Sequence, residues 1–262
     1  MADPEGMANQ GERMRTRLTT VPSTGRSVRD PLLRQILAVD VEGSTLRTNL
    51  TKGDLRRIMY ALLDRALRAT GIDRKHLEKP VDRGDGVLLL FRPHDDVPKT
   101  LLLGQLIPRL ATLLAEHNAS VTESALQVRL RVVFHTGEIH DDGWGFYGED
   151  LDVAFRLLDS PSVKRAFKAE PERPLVLVVS DEIHHAIIRH GYVDVGPYAG
   201  SVRVCVAKRY RRGRVHFPAP FPAARAKPPL RVPSLVIAAP SSRSSEGTTA
   251  DQFSLVSGTA GH

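Results

Sequence analysis

The chain has 262 residues, 41% of them hydrophobic and 26% charged, with a formal net charge of +7, which is an ordinary composition for a globular protein. No apolar run reaches the ~18 residues of a membrane-spanning helix, and residues 1–30 lack the apolar segment of a signal peptide. The single cysteine, Cys205, excludes an intramolecular disulfide framework and fits a reducing compartment. A cytoplasmic protein with no transmembrane segment is therefore expected.

The two ends of the chain differ in composition from its middle. Residues 1–30 are rich in Gly, Ser, Thr, Pro and Arg without apolar periodicity, which predicts a flexible arm. Residues 218–262 are rich first in Pro and then in Ser, which predicts a disordered tail. The folded domain is therefore predicted to span residues 31–217.

A basic stretch at 208–231 runs into the predicted tail. Such a cluster could contact an anionic partner, either nucleic acid or anionic lipid. No interleaved aromatic residues or nucleic-acid motif accompany the charge, so a basic hairpin edge leading into a solvated tail is the favoured interpretation. The cations are Lys208, Arg209, Arg211, Arg212, Arg214, Arg225, Lys227 and Arg231.

The first predicted elements alternate between strand and helix. Residues 36–41 are almost wholly apolar, which is typical of a short central strand. Apolar residues then recur at helical spacing over 55–67, and Gly71 stands where a helix end is expected. Residues 76–91 indicate two strands joined by a turn at 83–86.

The middle of the chain contains two further helical regions. A helix is predicted over 98–118, and Pro108 inside it is expected to kink or interrupt it. Alternating apolar and polar residues over 126–132 predict a strand with one wet or interfacial face. Residues 150–168 are predicted to be helical, with a break near Pro161.

The last elements extend this order. Residues 175–179 predict another buried strand, and a helix capped at 180–182 is expected to end at Gly191. Alternating valines over 202–206 predict a strand that turns at 212–213 into a final short one. The order β-α-β-β-α-β, with further α and β elements after it, predicts an α+β fold: a ferredoxin-like core with a C-terminal αβ extension.

Two acidic turns carry the candidate chemistry. Asp40 ends the first strand and is followed by Gly43, Ser44 and Thr45, a turn that places a carboxylate beside free backbone N–H groups. Asp85 lies in a Gly-Asp-Gly turn before another apolar strand. If the two strands are neighbours, both carboxylates could hold divalent ions for phosphoryl chemistry. Either motif alone is commonly a cap or a hairpin turn, but together in this order they favour a metal–phosphate site.

The order of these motifs resembles that of class III adenylyl and guanylyl cyclases. The stretch ILAVDVEGST resembles the first metal motif of this family, and RGDGVLLLF resembles its second. The stretches RVVFHTGEI and YGEDLDVAFRLLDS resemble the strand, arm and helix that complete the site, and LVVSDEI resembles the strand that follows. The resemblance extends over residues 32–217.

The resemblance implies a two-metal site for Mg²⁺ or Mn²⁺. Asp40, Asp85 and the backbone carbonyl of Val41 would hold the ions, and main-chain N–H groups of residues 43–45 would line the triphosphate. Arg156 would stabilise negative charge on the reacting phosphorus. The head-to-tail homodimers of the family, with the metal half of each site on one subunit and the base-reading half on the other, imply a homodimer with two sites.

The sequence departs from the family in the base-reading half. Val81 stands in place of the purine-reading lysine and Gly145 in place of its aspartate partner, and neither side chain can hydrogen-bond a purine edge. Asp152 replaces the asparagine that orients the ribose, and an acid there repels a triphosphate unless it is protonated or paired. Lys79 and Glu149 lie close by, so a shifted register could partly restore the polar set.

The histidines argue against zinc. His135 and His140 are five positions apart on a predicted strand and therefore face opposite sides. His184 and His185 are adjacent and cannot share one helix face. The sequence has no HExxH motif and no cysteine pair, so no zinc site is expected.

Three hypotheses describe the function. The favoured one is a divergent regulatory domain that binds a metal–nucleotide at a homodimer interface, with weak or no cyclase activity. The alternative is an active cyclase that makes a cyclic nucleotide from ATP or GTP by two-metal catalysis. A purely structural interaction module would make the presence of Asp40, Asp85 and Arg156 coincidental. The dimer interface is predicted to include residues 134–152, whose aromatic side chains are Phe134, Trp144, Phe146 and Tyr147.

Overall fold

The computed structural model of the protein describes residues 30–219. The predicted arm at 1–30, apart from Asp30, and the predicted tail at 218–262, from position 220 onward, lie outside the described residues. The limits of the predicted domain therefore stay predictions. No helix in the described range is long and apolar enough to cross a membrane.

A mixed sheet forms the centre of the described fold. Its strands are β1 (Leu32–Val41), β2 (Val81–Asp82), β3 (Gly86–Phe91), β4 (Leu130–Asp141), β5 (Phe146–Tyr147), β6 (Leu175–Ser180), β7 (Tyr198–Val206) and β8 (Arg209–His216). Their order is β2-β3-β1-β4-β6-β8-β7, and β5 pairs with β4 alone. β1 is antiparallel to β3 and β4, whereas β6 is parallel to β4. The α+β fold is confirmed: β2-β3-β1-β4 is the sheet of a ferredoxin-like unit, and β6–β8 form the extension.

Helices cover both faces of the sheet. They are α1 (Asn49–Ala69), α2 (Lys99–Leu101, a π-helical segment Leu102–Leu106, and Ile107–Ser120), α3 (Glu149–Leu158), α4 (Pro161–Lys168) and α5 (Asp181–Ala186). Short 3₁₀ turns lie at Ser44–Leu46, Arg74–His76, Ser124–Leu126 and Ile188–His190. The break between α3 and α4 lies at Pro161, as the sequence predicts.

The core has two layers because successive residues of the central strands point to opposite faces. On one face, Leu37 and Val39 of β1 belong to the same buried cluster as Met59 of α1, together with residues of α2. On the other face, Ile36 belongs to a cluster that contains Leu157 of α3, with residues of α4. The sheet therefore has no wet central face, and its functional groups must lie at the strand ends.

The kink or interruption expected at Pro108 takes the form of a wider, π-helical turn within a continuous helix. The π-helical segment Leu102–Leu106 directly precedes this proline, and the helix continues to Ser120. Proline lacks an N–H donor and its ring crowds the carbonyl one turn earlier, so a wider turn before it accommodates both effects.

The strand predicted over 126–132 is wrong in its first half. β4 begins only at Leu130, because the Asn118 side chain takes both backbone hydrogen bonds of Val128. Its Nδ2 donates to the Val128 carbonyl at 2.9 Å, and its Oδ1 accepts from the Val128 N–H at 2.8 Å. The prediction of a wet or interfacial strand face is also wrong at Arg131, which is only 9% exposed and forms an ion pair with Asp40 inside the fold.

The hairpin turn predicted at Arg212-Gly213 is wrong as well. The chain turns at Ala207 and Lys208, whose φ angles are +47° and +62°, and Gly213 lies within β8 opposite Val202. A Cβ atom at Gly213 would lie 3.0 Å from Val178 Cγ1. Close packing rather than a turn therefore explains this glycine.

Candidate functional site

The strand register brings Asp40 and Asp85 together. Asp40 is paired with Gly86 across β1 and β3, and the Val41 N–H donates to the Asp85 carbonyl at 3.0 Å. A Cβ atom on Gly86 would overlap the Val39 carbonyl oxygen, so only glycine allows the two strands this approach. Both carboxylates consequently lie at the same edge of the sheet.

The loop after β1 folds over this edge. Gly43 has φ +69°, a left-handed conformation that glycine adopts without steric penalty, and it leads into the 3₁₀ turn Ser44–Leu46. The Ser44 hydroxyl donates to the Asp85 carboxylate, which ties the loop to the β2–β3 turn. The predicted phosphate-lining residues, including Thr45, therefore stand beside the acidic pair.

The surroundings of Asp40 disfavour its charged form. Asp40 lies opposite Arg131 across β1 and β4 and forms an ion pair with it. Burial raises the pKa of Asp40 to about 6; the negative charge of Asp85 adds to this, and the charge of Arg131 opposes it. A carboxylate that is desolvated and faces a second carboxylate is stabilised by added positive charge, which a bound cation would supply.

A cavity of about 470 Å³ opens over these groups. Four cationic side chains line it, Arg83, Arg131, Lys164 and Lys168, together with four acidic ones, Asp40, Asp85, Glu42 and Asp159. Both lysines come from α4, where their i,i+4 spacing places them on one face. This spacing was the available sequence signal, but only the tertiary packing shows that both lysines line the cavity that contains Asp40.

The donors of this cavity fit a hard divalent cation. The carboxylates of Asp40 and Asp85 are oxygen ligands of the kind that Mg²⁺ and Mn²⁺ prefer. Val41, whose carbonyl is the third ligand implied by the resemblance, lines the same cavity. The surrounding cations suit an anionic co-ligand such as a polyphosphate.

The remaining predicted site residues do not line this cavity. Asp152 is exposed and lines a neighbouring cavity of about 640 Å³ with Glu149. Val81 is half-buried and packs against the core cluster that contains Ile36 and Leu157, whereas Arg156 is exposed. Gly145 lies in a turn held by the Asp142 carboxylate, which accepts from the Gly145 N–H at 2.9 Å. Within a single chain, the predicted metal-binding residues and the predicted base-reading residues therefore do not line one cavity.

His135 belongs to a buried polar group that could be mistaken for a catalytic triad. Its Nδ1 lies 2.8 Å from Ser180 Oγ, and its Nε2 lies 3.2 Å from Asp150 Oδ1. His135 is 1% exposed and Ser180 0%, so no substrate reaches the hydroxyl. The group links β4, β6 and α3, and its role is structural.

The basic stretch at 208–231 is described only as far as β8 and the loop after it. Within that part, Arg211 forms an ion pair with Glu149 at 2.5 Å, and Arg214 lies 3.7 Å from Asp181. Two of its cations therefore serve the fold itself, and the described part does not support an anionic partner.

Comparisons with known proteins were made by sequence and by structure. The sequence matches no protein-family model and no curated protein. The solved guanylyl cyclase Cya2 superposes with a TM-score of 0.50 at 16% identity, over 75% of this chain and 98% of that one. An adenylate/guanylate cyclase/hydrolase from Silicibacter pomeroyi is 21% identical over 72% of this chain and 98% of its own, with a TM-score of 0.48. At such identities a likeness establishes the fold alone, and the superposition on Cya2 shows that the chain has the fold of the class III adenylate/guanylate cyclase domains.

Proposed function

We propose that this chain is a divergent cyclase-like domain that binds a nucleoside triphosphate with Mg²⁺ or Mn²⁺ at a homodimer interface. Its role would be regulatory, with weak or no cyclase turnover. The observation that carries the proposal is the cavity in which Asp40 and Asp85 lie with four cationic side chains and with the acids Glu42 and Asp159. Carboxylates suit the metal, and the cations suit the phosphates. A cytoplasmic location stays a prediction from the sequence.

The residues of this chain have distinct tasks in the proposed complex. Asp40, Asp85 and the Val41 carbonyl would hold the metal, and Arg131 could exchange its ion pair with Asp40 for a phosphate oxygen. When bound, the metal would neutralise phosphate charge and polarise the reacting hydroxyl. The lysines of α4 would neutralise the distal phosphates.

The base-reading half supports the regulatory assignment. Val81 offers no hydrogen bond to a purine, and Asp152 places a carboxylate beside Glu149 in the neighbouring cavity. A site without polar partners discriminates poorly among bases and holds the ribose loosely. Misplacement of the reacting hydroxyl by about 1 Å can lower turnover on the order of a hundredfold even with the metals in place.

A thermal-shift screen of nucleotides with Mg²⁺ or Mn²⁺ tests the binding function. A ligand at 100 times its dissociation constant adds about 2.7 kcal/mol to the free energy of unfolding. We expect this metal-dependent stabilisation to disappear in Asp40→Asn and Asp85→Asn but to persist in the control Asp54→Asn, which changes a half-buried acid of α1 outside the cavity. Equal stabilisation of all three variants would exclude the proposed site.

An active cyclase is the second candidate, favoured by the presence of both acidic ligands together with Arg156. It is tested by chromatographic detection of cyclic nucleotide from ATP or GTP with Mn²⁺. Robust turnover by the unaltered protein would replace the regulatory proposal with the enzymatic one.

A further inference from the structure

A second group of potential ligands lies at the opposite end of β3. His76 belongs to the 3₁₀ turn before β2, whereas His94 and Asp96 belong to the loop after β3. One ligand atom from each residue lies within 4.8 Å of the others. Because a strand advances about 3.3 Å per residue, the six residues of β3 separate this group from Asp85 by roughly 20 Å. It is therefore distinct from the cavity described above.

The strongest indication is the state of His76. This residue is only 6% exposed, and its Nε2 is buried without a hydrogen-bond partner. The same atom lies 3.8 Å from the Asp96 carboxylate, beyond hydrogen-bond distance. A buried polar nitrogen normally has a partner, so this one is directed at a position that a ligand would occupy.

The other two residues complete a compact donor set. His94 Nδ1 lies 3.3 Å from Asp96 Oδ2, and the imidazole rings of His76 and His94 are tilted by 35° with their centroids 4.2 Å apart. Ligand atoms around a tetrahedral zinc ion with bonds of about 2.0–2.1 Å are separated by roughly 3.3–3.5 Å. Two of the three separations, 3.3 and 3.8 Å, come close to this spacing, and the third is within 4.8 Å. Metal binding would replace only the hydrogen bond that His94 Nδ1 accepts from the Asp96 N–H.

The backbone around the group is already held in place. The Arg92 N–H donates to the His76 carbonyl at 2.8 Å, which joins the turn to the loop. Val97, 1% exposed, anchors the loop in the core, and Gln35 Nε2 donates to its carbonyl at 3.1 Å. The Arg92 guanidinium is directed away to Glu78, so it does not compete for Asp96.

We propose that His76, His94 and Asp96 form a site for a divalent transition-metal ion, Zn²⁺ by preference, with water in the fourth position. Two imidazoles and one carboxylate form a typical zinc donor set. The bound ion would clamp the two ends of the segment that carries the β2–β3 hairpin. The lack of an HExxH motif and of a cysteine pair argued against zinc, whereas the fold brings together three ligands that belong to no such motif.

Zinc binding to the tag-free full chain tests the proposal. The protein is stripped with a chelator and then titrated with Zn²⁺ against a chromophoric zinc indicator, with excess Mg²⁺ present to occupy the Asp40–Asp85 site. We expect one zinc ion per chain, with affinity reduced at least about tenfold in His94→Gln and in Asp96→Asn. Both residues are exposed, so these variants should fold normally.

Two control variants make the result specific. Asp95→Asn changes the exposed acid between the two ligands, and His190→Gln changes an exposed histidine elsewhere; both should bind zinc like the unaltered protein. Zn²⁺ should raise the melting temperature of these controls but not that of His94→Gln. Equal zinc affinity in the ligand variants, or loss of zinc in Asp40→Asn instead, would overturn the proposal.

Discussion

Glu78 shows how a single residue connects three parts of the fold. Its carboxylate accepts from Arg34 Nη2 of β1 at 2.7 Å and from Arg92 Nη2 after β3 at 2.8 Å. Burial pushes the pKa of Glu78 upward, but the hydrogen bonds from Arg92 and Arg34 outweigh burial and leave the pKa below its ordinary value. The charged form of Glu78 therefore stabilises the folded state.

Glu78→Gln should lower the free energy of unfolding by about 2 kcal/mol at neutral pH, because two arginines lose a charged acceptor. A carboxyl whose folded pKa is depressed stabilises above its unfolded pKa, about 4.3, and loses that contribution as the pH falls through the folded pKa. The difference between the variant and the unaltered protein should therefore shrink in acid. Urea unfolding at several pH values measures this, with the exposed Glu138→Gln as control. A difference independent of pH would contradict the assignment.

Two glycines allow a matched comparison of what a single added Cβ atom does to stability. A Cβ atom at Gly86 would overlap the Val39 carbonyl, whereas Gly53 in α1 has open space around it and an ordinary φ. Gly86→Ala should destabilise the fold by about 1–3 kcal/mol and weaken metal-dependent nucleotide binding, since β1 and β3 must separate beside Asp40. Gly53→Ala should stabilise the protein by about 0.5–1 kcal/mol. Thermal unfolding of both variants checks the opposite signs, and a tolerated Gly86→Ala would show that the strands can shift freely.

At the scale of elements, sequence patterns succeed where the signal is local. The apolar runs of β1, β3 and β6 and the break at Pro161 are visible from periodicity and proline chemistry, because each depends on neighbouring residues. The start of β4 depends on a side chain of α2, and Gly213 depends on packing across three strands, so neither has a local signature. Asp40 and Asp85 could be predicted as a pair because each ends or begins a recognisable strand. Arg131, the lysines of α4 and the His76 group become visible only in the tertiary structure.

Helix α4 gives the prediction that belongs to this scale. Lys164 and Lys168 line the cavity, whereas Arg165 between them is exposed and does not. Lys164→Ala and Lys168→Ala should each weaken triphosphate binding roughly fivefold, about 1 kcal/mol, and this loss should diminish at high salt. Arg165→Ala should change affinity little. Calorimetric titration with ATP and AMP separates the effects, and an equal loss for AMP would argue against contact with the distal phosphates.

At the scale of the whole molecule, the residues of the predicted site do not line a single cavity of the chain. The 134–152 segment was predicted to present four aromatic residues to a partner. Phe134 is instead buried in the core, and Phe146 is half-buried and packs against the core cluster that contains Leu157 of α3. Trp144 is 91% exposed and Tyr147 is 49% exposed, so these two remain as candidate contacts.

Trp144 should therefore be central to the proposed homodimer. Trp144→Ser should weaken self-association by at least about tenfold, since buried tryptophans commonly dominate interfaces, while the melting temperature stays nearly unchanged. Light scattering over a concentration series measures the equilibrium. A matched control is Tyr192→Ser, another exposed aromatic outside this segment. A monomer at tens of micromolar in the unaltered protein would contradict the dimer itself.

Rebuilding the base half tests the whole assembly, because it requires both halves to meet across subunits. Combining Val81→Lys, Gly145→Asp and Asp152→Asn should raise the turnover of ATP with Mn²⁺ from its low starting value. Gly145 allows this change: its φ is ordinary and a Cβ atom there meets nothing within 4 Å, so an aspartate causes no backbone strain.

Val81 is the harder position of the three, since it is half-buried, but a lysine can extend its stem along apolar surface and place its charge in water. The same triple variant carrying Asp40→Asn should be inactive, which ties any gained turnover to the metal half. Chromatographic detection of cyclic AMP gives the readout. If the triple variant binds ATP more tightly yet makes no cyclic product, the two halves do not meet in a catalytic arrangement, and the domain is a binding module alone.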